Sequence, residues 1–391
     1  MKKAFINAKI YNTADECFAD GALVVEDGVI VSVGDAADAD EVIDCGGAYM
    51  MPGLVDIHTH GRGGIESTEV DREGCIDMAK AYAKAGTTSF MSTLMSAPYE
   101  TLLAGIDAAV EAKAMQDNAK GGEYLGANIL GIHLEGRYIS EVRKGAHDPR
   151  YLAPLDADEL TALVERSREG GHFKRFLVIC APELDGGEAF IKRAASIGAT
   201  VTIGHSDASY DQCMAALEWG AVSFTHLFNA MSSLTHRAPG CVGAALSSDC
   251  FVELIGDGRH VLPPVVRIVK QAKAKDKLVL ITDSVPPAGL PDGEYIVGGT
   301  VTVCRDGAVY LPNGVLNGSI ISMHDALLNF AKFNEISIEE AIPYATINPA
   351  RLVGADDEVG SLEVGKRADF LLLAEDKASI RSVYVCGCEV R

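Results

Sequence analysis

The chain has 391 residues, 40 of them glycine, with 48% hydrophobic residues and a formal net charge of −21. That length suits a (β/α)8 barrel, which takes about 250 residues, plus one small domain, and the hydrophobic fraction excludes a disordered chain. The acidic balance, without a long Lys/Arg run, excludes nucleic acid as a partner, although a few well-placed cations still suffice to hold a small anionic metabolite.

The start, Met1-Lys2-Lys3, leads into an apolar run too short for a signal peptide, and no stretch of about 18 apolar residues occurs anywhere. No membrane contact is expected, and the expected location is cytoplasmic. The 10 cysteines lie scattered in stretches such as Leu177-Val178-Ile179-Cys180, without C-x-x-C pairs, and read as reduced core residues.

In chain order, short strands are expected at Ala4–Tyr11, Gly21–Glu26, Val29–Val33 behind the Asp27-Gly28 hairpin signal, and Glu41–Asp44. Similar strands, Phe370–Leu373 and Ile380–Val385, close the chain. The two ends, residues 1–50 and 358–391, are expected to pair in one small β-sandwich domain.

Between them, residues 51–357 carry eight apolar runs: Leu54–Ile57, Thr88–Leu94, Ile129–Leu134, Phe176–Ala181, Thr200–Ile203, Ala221–Thr225, Val252–Ile255 and Leu278–Ile281. Helix-like stretches such as Cys75–Ala85 and Tyr210–Trp219 separate them. Continuous apolar strands alternating with helices imply a parallel sheet covered on both faces, and eight of them suggest an α/β fold closed as a TIM-like (β/α)8 barrel.

Chemistry in such barrels sits at the C-terminal ends of the strands. Run one ends in His58 and His60, run three in His133 and Glu135, run four in Glu183, run five in His205, run six in His226, run seven in Asp257 and His260, and run eight in Asp283. Six of the ten histidines thus fall at strand ends or just past them.

His58 and His60, two apart on a strand, point to one side and can share a divalent metal. Glu135, His205 and His226 supply three ligands and leave a position open for water, the pattern of a catalytic site. His58 and His60 either hold a second ion, with Glu135 bridging, or orient the substrate and the other ligands. Asp283 reads as an acid/base that takes the proton of metal-bound water, whose pKa falls from about 15.7 towards about 7, or else as one more ligand. No G-x-S-x-G nucleophile motif and no phosphate-binding P-loop is present.

Two segments, Pro52-Gly53-Leu54-Val55-Asp56-Ile57-His58-Thr59-His60-Gly61 and Asn348-Pro349-Ala350-Arg351-Leu352 through Gly365-Lys366-Arg367-Ala368-Asp369, resemble the opening and closing signatures of the amidohydrolase superfamily. More specific are Gly131-Ile132-His133-Leu134-Glu135-Gly136, Lys144-Gly145-Ala146-His147, Ala181-Pro182-Glu183, Gly204-His205-Ser206-Asp207-Ala208, Thr225-His226-Leu227-Phe228-Asn229-Ala230-Met231, Asp257-Gly258-Arg259-His260, Thr282-Asp283 and Gly289-Leu290-Pro291-Asp292-Gly293-Glu294-Tyr295. In order and spacing these resemble the N-acetylglucosamine-6-phosphate deacetylase family.

The resemblance implies Glu135, His205 and His226 as ligands of the metal shared by that family, His58 and His60 as ligands of a second metal kept by some members, and Asp283 as acid/base. It implies one or two divalent ions per chain, zinc or iron foremost, and a sugar phosphate held by Asn229, the Ala230 backbone and His260. Ala146, His147, Leu316, Asn317 and Gly318 match further substrate contacts. Arg237 is implied to reach the active site of a neighbouring subunit, hence a homodimer.

Two positions depart from the family's usual pattern: Arg137 follows His-Leu-Glu-Gly where proline is common, and Ser284-Val285-Pro286-Pro287 replaces an alanine-led run. Arg137 either adds a cation for another anionic group or covers the barrel rim. The expected reaction is metal-dependent removal of the acetyl group of N-acetylglucosamine 6-phosphate, with the galactosamine epimer or another N-acyl amino-sugar phosphate as the alternative. Because every ligand position is filled, a barrel kept only as a binding scaffold is disfavoured.

Overall fold

The computed structural model of the chain describes residues 1–35, 38–119 and 124–390. Its centre is an eight-stranded sheet in which Leu54–Asp56, Thr87–Leu94, Asn128–Leu134, Arg175–Cys180, Thr200–Ile203, Ala221–Phe224, Phe251–Ile255 and Leu278–Ile281 stand side by side in chain order. Neighbouring strands pair in parallel throughout. Beyond the ends of the first and last strands the ring closes: Asp283 N–H donates to the His58 carbonyl at 2.9 Å, and His60 N–H to the Ser284 carbonyl at 2.7 Å.

The strands read as continuous apolar runs because both of their faces are covered. Outward residues such as Phe90, Ile132, Val178, Phe224 and Leu254 pack into one core with helix residues that include Met78, Leu102, Leu163 and Phe190. Inward residues Val55, Met91, Leu130, Leu177, Ile255 and Val279 form a floor with Ala350, Leu352 and Val353. The Asn348-Pro349-Ala350 segment therefore plugs the end of the barrel away from the chemistry, and Asn348 Nδ2 fixes it by donating to the Lys275 and Leu278 carbonyls, each at 2.8 Å.

The helices carry the local signals that start them. Asp71 caps Arg72–Lys84 through the Gly74 N–H, and Ser209 and Gln212 form a reciprocal capping box on Tyr210–Trp219.

Strands from the two chain ends share a second sheet. Lys2–Asn12 pairs with Cys17–Glu26, Glu41–Asp44 and Tyr49–Pro52, and the last of these pairs with Phe370–Leu373. A register shift between Phe5 and Ala8 lets one long strand serve partners along its length. This sheet encloses its own core of Phe5, Ile10, Leu23, Ile30, Met50, Phe370 and Tyr384. The opening and closing signatures meet here: Gly53 N–H donates to the Asp369 carbonyl at 2.9 Å, and Asp369 holds Arg367 at 3.1 Å.

One element was not anticipated. After the last barrel strand, Gly293–Val297, Thr300–Arg305 and Ala308–Tyr310 form a small antiparallel sheet whose Val297, Cys304 and Val309 pack with Val285. It delivers residues 315–318 to the rim of the barrel mouth.

No disulfide forms among the described residues; most cysteines are buried, but Cys17 is exposed, contrary to the reading of all ten as core. No helix among the described residues is long and apolar enough to cross a membrane.

Candidate active site

The strand ends turn sharply where chemistry is expected. His205, His226 and Asp283 have φ of 46°, 25° and 50°, left-handed values that cost a side-chain-bearing residue about 1–3 kcal/mol each. That strain is held by the packed barrel, and the three side chains converge with those of His58, His60 and Glu135.

Glu135 sits at the centre. Its Oε1 lies 3.2 Å from His205 Nε2, 3.1 Å from His226 Nε2 and 3.3 Å from His58 Nε2, while Oε2 lies 2.8 Å from His60 Nε2 and 3.6 Å from His147 Nε2. Asp283 Oδ1 is 3.3 Å from His60 Nε2 and 3.7 Å from His58 Nε2. Two candidate metal-holding groups, His58–His60–Glu135–Asp283 and Glu135–His147–His205, share the Glu135 carboxylate.

The donor set fits a cation. His205 Nδ1 faces the Arg143 carbonyl at 2.8 Å, so it carries the ring proton and leaves a lone pair on Nε2. That Nε2 is 3.0 Å from His226 Nε2, and both lie beside a carboxylate oxygen. Two imidazole nitrogens and a carboxylate oxygen converging on one point are a donor set that a divalent cation would bind, and two imidazoles with a carboxylate are a common zinc set.

Electrostatics separate the roles. Burial opposes ionisation of Asp283, yet the His60 hydrogen bond and the His58 charge draw its carboxyl down to about 2, making it a proton acceptor at neutral pH. Burial likewise opposes the Glu135 charge, but His58 and His60 hold that carboxyl well below the usual range. Burial pushes His147 down to about 4, so its ring is neutral. Ser96 Oγ accepts the Arg137 N–H at 3.0 Å and faces His147 Nδ1 at 2.9 Å. With the Ser96 hydroxyl donating to Nδ1, His147 presents an Nε2–H to the site.

A cavity of about 450 Å³ opens above these groups. Its walls include Ala146, His147, Asn229, Ala230, His260, Leu316, Asn317 and Gly318, together with His60, Glu135, His205, His226 and Asp283. Sequence reasoning missed the apolar wall formed by Met95, Val142, Val285 and Val315. His260 Nδ1 is 2.6 Å from Asp257 Oδ2; burial works against its charge, but the Asp257 bond and charge prevail and raise its pKa above the usual value. Gly318, at φ 63°, packs so closely that a Cβ there would come within 2.8 Å of the Asp283 carbonyl.

Not every expected residue meets the cavity. His58 is fully buried beneath it. His133 also lies below, with Nδ1 2.9 Å from the Ile57 carbonyl. Arg237 is exposed on the loop after Met231 and does not line the cavity of its own chain. Arg137 is committed elsewhere, to the Ala97 carbonyl and Glu159, so it covers the rim and supplies no cation to the cavity. Glu183 ties down the segment after His205, accepting from Ser206 Oγ and Asp207 N–H at 2.6 Å each.

Residues 49–390 match the amidohydrolase family. The chain belongs to that family. It is 34% identical over 372 residues to the N-acetylglucosamine-6-phosphate deacetylase of Vibrio furnissii, covering 94% of this chain and 90% of the relative. It is 32% identical over 383 residues to the N-acetylgalactosamine-6-phosphate deacetylase of Escherichia coli O157:H7, covering 98% of each. The crystal structure of N-acetylglucosamine-6-phosphate deacetylase from Pasteurella multocida superposes with a TM-score of 0.89 at 30% identity, covering 100% of this chain and 99% of that one.

Proposed function

We infer that this protein hydrolyses the acetamide of N-acetylglucosamine 6-phosphate, giving acetate and glucosamine 6-phosphate. Beside the kinship, the observation that carries the reading is that Asp283 and the Asp257-supported His260 face one cavity. Groups suited to amide cleavage and a cation suited to a phosphate thus share one space.

Glu135, His205 and His226 would hold one divalent ion and His58 and His60 a second, zinc or iron being the candidates. A bound ion there acts as a Lewis acid and makes water acidic enough to serve as a nucleophile. The chain's own groups complete the reaction. Asp283 accepts a proton as the water oxygen bonds to the carbonyl carbon, then passes it to the nitrogen as the C–N bond breaks. His147, with its Nε2–H, stabilises the carbonyl oxygen as charge develops. Asn229, the Ala230 backbone and His260 take the phosphate, and Ala146 and Leu316-Asn317-Gly318 border the sugar.

Arg237 belongs to the same reading as a residue that crosses to a partner's cavity in a homodimer; its exposure and its absence from the cavity of its own chain support this. The reading also places the enzyme in the cytoplasm.

The similarity to the N-acetylgalactosamine-6-phosphate deacetylase along nearly the whole length of both chains favours a second reading, in which the C4 epimer is the substrate. Acetate release measured side by side on the two hexosamine phosphates decides between them. A large excess in kcat/KM for the gluco epimer supports the first reading, and the reverse ratio replaces it with the second.

A further inference from the structure

We propose that Glu253 is a positioning residue for the candidate metal centre, holding the His58 Nδ1–H so that Nε2, on the side of Glu135 and Asp283, is the nitrogen that would bind a divalent ion. The proposal rests on the reading of His58 as a ligand.

Glu253 lies within the seventh barrel strand, Phe251–Ile255, and is fully buried. Its neighbours Val252 and Leu254 pack outwards against the helices, while Ile255 joins the barrel floor. Strand alternation therefore turns Glu253 into the barrel interior. A carboxylate taken out of water is costly unless paired, and no Lys or Arg among the described residues pairs with this one. Its Oε2 instead takes Thr225 Oγ1 at 2.7 Å and lies 3.1 Å from His58 Nδ1, which is also 3.0 Å from Thr225 Oγ1, while Oε1 has no hydrogen-bond partner among the described residues.

Glu253 is not part of the cavity wall, so it does not touch the substrate. What it does touch is decisive for His58. A carboxylate only accepts, and Thr225 Oγ1, whose single hydrogen goes to Glu253, likewise accepts at Nδ1, so the contacts place a proton on Nδ1. The opposite nitrogen, Nε2, has no hydrogen-bond partner of good geometry among the described residues and lies 3.3 Å from Glu135 Oε1 and 3.7 Å from Asp283 Oδ1. Partners of this kind orient ligating histidines, and their loss costs about 10–100-fold in metal affinity or activity.

The test uses zinc-loaded enzyme with 15N-labelled histidine. Long-range proton–nitrogen correlation should show the His58 proton on Nδ1 and none on Nε2, and Thr225→Val should leave that pattern unchanged. Glu253→Gln, whose amide can donate to Nδ1 instead, should weaken zinc binding at the His58 site by about 10–100-fold, lower kcat and leave KM close to wild type. If Glu253→Gln does not fold, Glu253→Asp, one methylene shorter, should weaken zinc binding in the same direction. Wild-type zinc affinity in whichever variant folds overturns the role of Glu253 while leaving His58 a ligand. Protons on both His58 nitrogens in the loaded enzyme overturn the ligand reading and the proposal with it. Neither result depends on acetate release, whose failure concerns the substrate alone.

Discussion

Ser284 Oγ lies 2.7 Å from Thr59 Oγ1, across the seam where the last barrel strand meets the first. Thr59 separates the candidate ligands His58 and His60, and Ser284 follows Asp283. The same serine hydroxyl reaches the Gly61 carbonyl at 2.9 Å, and Thr59 Oγ1 is 2.6 Å from Tyr82 OH. The departure from an alanine-led run at this position is thus a fastening between two halves of the site.

Ser284→Ala removes that fastening and leaves a buried acceptor without its donor, which costs about 1–3 kcal/mol. Denaturant unfolding should show a loss in that range, with KM little changed because the hydroxyl faces away from the cavity. Unaltered stability would show that Thr59 and Tyr82 hold the seam alone.

Asp283→Asn keeps the shape of the side chain and removes its capacity to take a proton. A positioned acid/base contributes about 10²–10⁴-fold, so kcat should fall by that factor while KM and metal content per chain stay near wild type. Loss of metal in parallel with activity would instead assign Asp283 as a ligand.

Much of this was legible in the sequence. The eight barrel runs stand out because strands covered on both faces have no polar alternation, and Glu135, His205, His226 and Asp283 stand out because they follow such runs. Glu253 stayed hidden because one charge inside the apolar run Val252–Ile255 says nothing about which partner it meets across the barrel. The antiparallel sheet over residues 293–310 was missed because its alternation is short and its core is only a few side chains deep. Arg137 was left with two readings that composition cannot separate; the position of Glu159, 22 residues later, decides them.

The pH dependence of phosphate recognition should follow His260. Its folded pKa is raised above the usual 6.5, so the imidazolium is fully present below that value and is lost as pH rises through the folded pKa. KM for the phosphorylated sugar should rise across that window and KM for the unphosphorylated sugar should not. Asp257→Asn should move the rise to lower pH. The same linkage means that the stability His260 gains from Asp257 is present below the unfolded histidine pKa for as long as Asp257 stays ionised, and fades as pH rises through the folded histidine pKa.

Gly204, immediately before His205, leaves no room for a side chain: a Cβ there would lie 2.0 Å from Thr225 Cγ2. Gly204→Ala should cost about 1–3 kcal/mol by overpacking, and adding Thr225→Ser, which deletes that methyl and keeps the hydroxyl, should restore part of the loss. No recovery in the double variant would place the clash elsewhere, on Ile179.

Acetate release from N-acetylglucosamine 6-phosphate by purified protein, with metal content determined on the same sample and the unphosphorylated sugar as control, tests whether this chain is a metal-dependent deacetylase of that phosphate. Turnover should depend on both the phosphate and the bound metal and be abolished by a chelator. Metal-loaded protein that releases no acetate from either hexosamine phosphate would contradict that assignment.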